Sequence, residues 1–341
     1  MTERLRIAVL GASGYTGADL VRLALGHPHI EVAALAAGAR AGAAMVSVWP
    51  HFAGYPLPPI MAADAIDWSR IDVVFGCLPH GASATLLAGI EGPSIIDLSA
   101  DFRLRSAATY AEWYGLPHPA PELLSQAVYG LTEYARAALP GARLVACPGC
   151  YPTAALLALL PVVHLIDVSR ITINAISGIS GAGRAAKEAN LFAELGESAA
   201  AYSVGNHRHM PEIEQELSAA AGTSATVAFT PHLVPMARGE LLTITVEGAP
   251  APELRAALAA RYETEPFVHL LPEGTAPSTR MVRGSNHAVL NVFADRVPGR
   301  AIIIAAIDNL VKGSSGQAIQ NMNLMFGLPE TTGLLAAPLF P

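Results

Sequence analysis

The sequence predicts an α/β protein of two domains. A parallel sheet with helices on both faces is expected over residues 1–148, and an α+β domain with a mostly antiparallel sheet over 149–313. Three observations predict this. In the first half, continuous apolar runs alternate with helix-length segments, as buried parallel strands and their crossovers require. Beyond Cys150 the strand candidates alternate in hydropathy residue by residue, which marks strands with one covered face. The length, 341 residues, corresponds to two domains at about 150 residues each.

Taken in order, Leu5–Leu10 is an apolar-rich strand ending at Gly11. A helix is expected from about Gly14 to Gly26, with Leu20, Val21, Leu23 and Ala24 on its apolar face. Further strands are expected at Ile30–Ala37, residues 71–78 and Ser94–Leu98. In the second domain a helix over Thr153–Leu160 precedes strands at Arg170–Ala175, Ala225–Pro231, Glu240–Glu247, Asn286–Ala294 and Ala301–Ile307. A last helix is expected over Ser314–Phe326, stopped by Gly327. Pattern alone does not say which domain it joins.

Composition narrows the function classes. Charged residues make up 14% and hydrophobic ones 52%, so the chain has ample apolar surface to offset chain entropy and disorder is not expected. The longest apolar stretch, Ala154–Ile166, is broken by Pro161 and His164 and falls short of the ~20 residues that span a bilayer. No membrane partner is expected. The opening Met1–Arg6 has no apolar core or cleavage site, so no secretory signal is expected. A net charge of −7 without a basic run argues against nucleic acid as a partner. Three cysteines (Cys77, Cys147, Cys150) do not make a disulfide framework, which points to a reducing, cytoplasmic setting. Of 21 basic residues only Lys187 and Lys312 are lysines; this arginine bias reads mainly as genomic, with some arginines available to grip planar anions.

Two motifs carry chemistry. Gly11-Ala12-Ser13-Gly14-Tyr15-Thr16-Gly17 lies between the first strand and the first helix, where glycines let the backbone approach a pyrophosphate and helix amides meet its charge. The second strand ends in Ala36-Ala37-Gly38-Ala39-Arg40, with no carboxylate for a ribose 2′-hydroxyl and an arginine for a 2′-phosphate, which favours NADP over NAD. The second motif, Cys147-Pro148-Gly149-Cys150-Tyr151-Pro152-Thr153, places Cys150 at a helix N-terminus, where the dipole favours a thiolate. Cys77 and Cys147 read as buried, inert thiols. A proton partner for Cys150 is sought in Asn206-His207-Arg208-His209-Met210-Pro211-Glu212, which also enters a helix at a proline. No carboxylate or cysteine set at ligand spacing joins these histidines, so no metal is expected. Anion handles are expected in Asp97–Arg103, Ser177–Arg184 and Pro235–Glu240.

Eight segments in order, among them GASGYTGADLVRL (11–23), DLSADFRL (97–104), CPGCYPTA (147–154), SGISGAGR (177–184), NHRHMPEI (206–213) and DNLVKGSSGQAIQNMN (308–323), make the chain resemble the N-acetyl-gamma-glutamyl-phosphate reductases of arginine biosynthesis over essentially its full length. These belong to the aspartate-semialdehyde dehydrogenase-like superfamily. The resemblance implies a Rossmann-type first domain, completed by residues 314–341, and homodimers or homotetramers formed through the second domain. It implies Cys150 as nucleophile and His209 as acid/base. It implies an NADP site drawn from Gly11, Ser13, Gly14, Tyr15, Thr16, Gly17 and Arg40 together with Ser180, Gly181, Asn309 and Lys312, with the segment around Gly316 closing over the nicotinamide. An acyl-phosphate substrate would be held by Arg103, Arg184 and Arg238. Relatives often carry an Ala-Gly-Lys shortly after the Arg40 position; here Ala41-Gly42-Ala43-Ala44 lacks that lysine.

Overall fold

The structure, a computed structural model, describes residues 4–339. Two compact units comprise residues up to Pro148 with Ser314–Leu335, and Gly149–Gly313 with the tail from Ala336.

In the first unit the strands are β1 (Leu5–Leu10), β2 (Ile30–Ala36), β3 (Ile60–Met61), β4 (Val73–Gly76), β5 (Ser94–Asp97), β6 (Ala127–Tyr129) and β7 (Leu144–Ala146). They form one parallel sheet in the order β3-β2-β1-β4-β5-β7-β6. Ile7 to Leu10, Val73 to Phe75 and Ile95–Ile96 are fully buried, as strands covered on both faces must be. The strand order runs outward in opposite directions from β1, so the crevice at the carboxyl ends of β1 and β4 is the place where such sheets bind ligands. β3, β6 and β7 escape sequence reading because two or three residues are too few to show a period.

The helix Tyr15–Leu25 follows β1 and buries Leu20, Val21, Leu23 and Ala24. A second helix, Gly316–Met325, belongs to the same unit although its buried residues include Gln317, Gln320, Asn321 and Asn323. It is held by directional bonds. Asn321 Nδ2 donates to Gly130 O at 2.8 Å while Asn321 Oδ1 accepts from Thr132 Oγ1 at 2.7 Å, and Ser315 Oγ donates to Asp19 Oδ2 at 2.6 Å. The stretch 314–341 expected to complete the first domain divides at Leu335. Leu339 instead satisfies its amide on Arg283 O in the second unit, and residues 340–341 lie outside the described residues.

The second unit contains β8 (Ile171–Gly178), β9 (Ala200–Ala201), β10 (Val227–Val234), β11 (Glu240–Glu247), β12 (Val268–Leu270), β13 (Ala288–Ala294) and β14 (Arg300–Ile307). Their order is β12-β13-β14-β11-β8-β10-β9. Four neighbouring pairs are antiparallel, and β8–β10 and β12–β13 are parallel, so the sheet is mixed but mostly antiparallel. Along β11 burial alternates: Glu240, Leu242, Ile244 and Val246 point to one covered face, against which the helix Cys150–Leu159 packs. That helix begins at Cys150 rather than Thr153. Gly149 is its N-cap, and Pro152 sits within the first turn, where a missing N–H costs nothing. Among the described residues, no helix is long and apolar enough to cross a membrane.

Candidate active site

In the first unit the loop after β1 is built for close backbone approach. Gly11 has φ +82°, and a Cβ there would collide with the Cys77 carbonyl at the end of β4. A Cβ at Gly17 would collide with Gly11 O and come within 2.8 Å of Ala12 Cα. Gly14 caps the helix Tyr15–Leu25 with no side-chain bond to the first-turn amides. First-turn helix amides above a loop whose glycines leave room for close backbone approach suit a dinucleotide pyrophosphate. Tyr15 and Trp49 pair with ring centroids 5.9 Å apart, and Trp49 Nε1 donates to Ala12 O at 3.3 Å, which braces the loop. Ser13 and Thr16 are half-buried beside them, and Arg40 is exposed beyond β2.

The segment Asp97–Arg103 spends its polar groups on its own framework. Asp101 accepts from the amides of Gly81 (2.7 Å) and Ala84 (2.9 Å) and from Tyr110 Oη (3.0 Å). Asp97 accepts from Ser83 Oγ and Ser99 Oγ, and burial pushes its carboxyl up to about 6. Arg103 is buried, with Nε donating to Cys147 O at 2.8 Å and Nη2 to Leu98 O at 2.9 Å.

In the second unit Cys150 is the first residue of its helix and is partly exposed. Two glycines beside it have no room for a side chain. A Cβ at Gly313 would lie 2.7 Å from Cys150 Cβ, and a Cβ at Gly149 would collide with the His209 ring at Nε2. His209 Nε2 therefore lies directly over the residue that precedes the thiol. Glu212, one turn into the helix Met210–Ala221, accepts from the Gly149 amide at 2.9 Å and ties the histidine segment to the cysteine turn. His207 plays another part. Its Nδ1 accepts from the His209 amide at 3.1 Å, and burial, assisted by the Arg208 charge, lowers its pKa to about 4, so it is a neutral acceptor near pH 7. Tyr151 and Tyr202 share a 3.0 Å Oη–Oη bond beneath, and burial pushes both phenols up.

Matches to known proteins bear on this geometry. A family model described as the semialdehyde dehydrogenase NAD binding domain matches residues 6–142, and its dimerisation-domain counterpart matches 150–309. A protein of Rhodospirillum rubrum named N-acetyl-gamma-glutamyl-phosphate reductase is 55% identical, each chain being covered over 100% of its length. An Arabidopsis thaliana protein, named the probable chloroplastic enzyme, is 54% identical over 99% of this chain and 86% of its own. The chain belongs to the N-acetyl-gamma-glutamyl-phosphate reductase family. The fold extends further: aspartate semialdehyde dehydrogenase II of Vibrio cholerae, solved in complex with ASA, superposes with a TM-score of 0.71 at 17% identity, over 96% of this chain and 99% of that one. Members of the reductase family are oxidoreductases, and this chain carries both the nicotinamide-binding and the dimerisation domain.

Of the remaining expected residues of this reductase-family chain, Ser180, Arg238 and Asn309 lie together in the second unit. Asn309 Oδ1 accepts from the Gly239 amide at 2.8 Å and its Nδ2 donates to Ser180 Oγ at 3.0 Å, so Asn309 joins the 177–184 and 235–239 loops. Arg238 lies 3.5 Å from Asp308 Oδ1, while Gly181 and Arg184 are exposed. Lys312 is fully buried, its ammonium 6.0 Å from the centre of the Phe267 ring. Two acids have no role of their own in the sequence motifs: Glu212 lies in the histidine segment that enters a helix, and Glu240 closes the Pro235–Glu240 anion handle and starts a strand. A signal for Glu240 was present: it continues the period-two row of Leu242, Ile244 and Val246 that had to face the core.

Proposed function

We propose that the chain catalyses NADPH-dependent reduction of N-acetyl-L-glutamyl 5-phosphate to N-acetyl-L-glutamate 5-semialdehyde and phosphate, a step of arginine biosynthesis, through a thioester on Cys150. The observation that carries this reading is the placement of Cys150 at a helix start with the His209 ring over Gly149. The helix dipole favours the thiolate. The sulfur attacks the γ-acyl carbon and phosphate leaves with the C–O electron pair, its charge met by arginine. We assign Arg103, Arg184 and Arg238 to the two substrate anions. First-turn amides of the Cys150 helix offer donors to the oxyanion. Bound NADPH supplies the hydride that reduces the thioester carbonyl. His209 gives a proton to the resulting oxygen and takes it back when the thiohemiacetal collapses.

The cofactor loop Gly11–Gly17 fits a pyrophosphate, and we assign Ser13, Tyr15, Thr16 and Arg40 to the rest of the NADP, with Ser180, Gly181 and Asn309 toward its reactive end. We place Lys312 inside the turn that carries Asn309. The absence of an acid after β2 favours the phosphorylated cofactor. We further propose a cytoplasmic homodimer or homotetramer, consistent with three thiols that form no disulfide. Incubation with the acyl phosphate, without NADPH, should add one acyl group to Cys150 by mass spectrometry, and later NADPH should remove it. Failure to acylate in protein that still binds NADPH in a separate titration would overturn the reading.

A further inference from the structure

One buried acid beside the nucleophile has no part in the scheme above. Glu240 is 0% exposed, and neither carboxylate oxygen has a well-formed hydrogen bond. It opens β11 at the position paired with Ser177 on β8 and Ile307 on β14. From there its side chain points to the covered face on which the Cys150 helix packs. The Cys150 thiol stands close enough to favour its ionised form. An acid in such a row of apolar residues is costly unless something repays its desolvation. A structural acid would be tied by donors, as Asp97, Asp101 and Glu212 are in this same chain. Glu240 has the thiol instead.

We propose that Glu240 is the proton acceptor for Cys150: it takes the thiol proton as the sulfur attacks and returns it as the sulfur leaves. This rests on the acyl-phosphate reduction proposed above. In the first step the S–H bond breaks and an O–H bond forms on Glu240, while the S–C bond forms and the C–O bond to phosphate breaks. In the last step the C–S electron pair returns to sulfur, which recovers the proton from Glu240, while the thiohemiacetal O–H proton goes to His209. Glu240 ends as it began, and one proton is never asked to serve two oxygens and a sulfur through His209 alone.

The electrostatics fit. Burial pushes the Glu240 carboxyl up to about 8, the Asp308 charge adds to the rise and the Cys150 thiol opposes it. A carboxyl held that high takes up a thiol proton far more readily than an ordinary carboxylate does. Among the described residues, the titratable groups around the pair include Tyr151 on the Cys150 helix, Tyr202, His209 over Gly149, and Asp308 with Arg238 at 3.5 Å. The two phenols remain protonated throughout.

The test compares wild type with Glu240→Gln and Glu240→Asp in two assays. Alkylation of Cys150 by iodoacetamide against pH reads the thiol, and kcat for NADPH-dependent reduction against pH reads the chemistry. In wild type kcat should rise through about pH 8, and E240Q should lower it by about 100-fold and flatten that limb. Its alkylation profile should lose the same inflection. E240D, with a carboxyl one methylene shorter, should keep the inflection and lose less in kcat; it stands in if E240Q does not fold. E240Q or E240D with wild-type kcat and an unchanged alkylation profile overturns the proposal. If no variant, wild type included, reduces the acyl phosphate while E240Q still loses the alkylation inflection, the proposed reaction fails and the shared proton stands.

Discussion

Gly149 shows how little room the site allows. Its φ of −62° suits any residue, so only the His209 ring above it forbids a side chain. Gly149→Ala should leave the fold intact, displace the imidazole and lower kcat by about 10- to 100-fold, with NADPH affinity unchanged in a fluorescence titration. Gly17→Ala should do the reverse, because its Cβ meets Gly11 O and Ala12 Cα, which are backbone and cannot swing aside. Cofactor affinity should fall while iodoacetamide still labels Cys150 at the wild-type rate. Burial also makes Glu240 a stability determinant. Its folded pKa, about 8, lies above the ordinary glutamate value of about 4.5, so the folded state binds more protons between those values. Stability from this group is therefore lost as pH rises from about 4.5 through about 8. Asp97, raised to about 6, works in the same sense at lower pH, and His207, lowered to about 4, works against both below about 6.5. Between about pH 6.5 and 8, of these three, Glu240 alone still titrates, and denaturant midpoints there should decline less in E240Q than in wild type.

Among the elements, the helix Gly316–Met325 is the least expected from its residues. An amphipathic reading gives its position but not its docking, because its buried face carries asparagine and glutamine. What fixes it is a set of bonds to residues nearly 200 positions away: Asn321 to Thr132 and to Gly130 O. Asn321→Leu keeps the volume roughly constant but leaves the Thr132 hydroxyl and the Gly130 carbonyl buried without that partner. Chemical denaturation should show the first unit destabilised by about 2–4 kcal/mol. The helix Cys150–Leu159 is the opposite case: wholly apolar beyond its first turn, it was legible as a helix, and only its start was misplaced by three residues. Likewise β1, β2, β4 and β5 follow from their apolar runs, whereas β3, β6, β7, β9 and β12 exist because neighbouring strands offer an edge.

At the scale of the whole molecule, the two sheets and their order were legible because burial on two faces and on one leave different periods in the sequence. The nucleophile and its histidine were legible as motifs. Glu240 was legible only as a core-facing position in its period-two row; that it faces the Cys150 helix follows from the fold. The second face of the mostly antiparallel sheet is where the proposed self-association belongs. Leu241, Phe293, Ile302 and Ile304 lie half-exposed on it, and the dimerisation-domain match spans these residues. Ile304→Glu should therefore lower the sedimentation coefficient of the full chain toward that of a monomer. The central claim, a phosphate-releasing reduction of a glutamyl chain, is tested most directly in reverse. NADP, phosphate and either N-acetylglutamate semialdehyde or its one-carbon-longer aminoadipate counterpart are supplied, and formation of NADPH is followed. Phosphate-dependent turnover should be faster with the glutamate compound and absent in Cys150→Ser; faster turnover with the aminoadipate compound, or none with either, would rule out a glutamyl acyl-phosphate reductase.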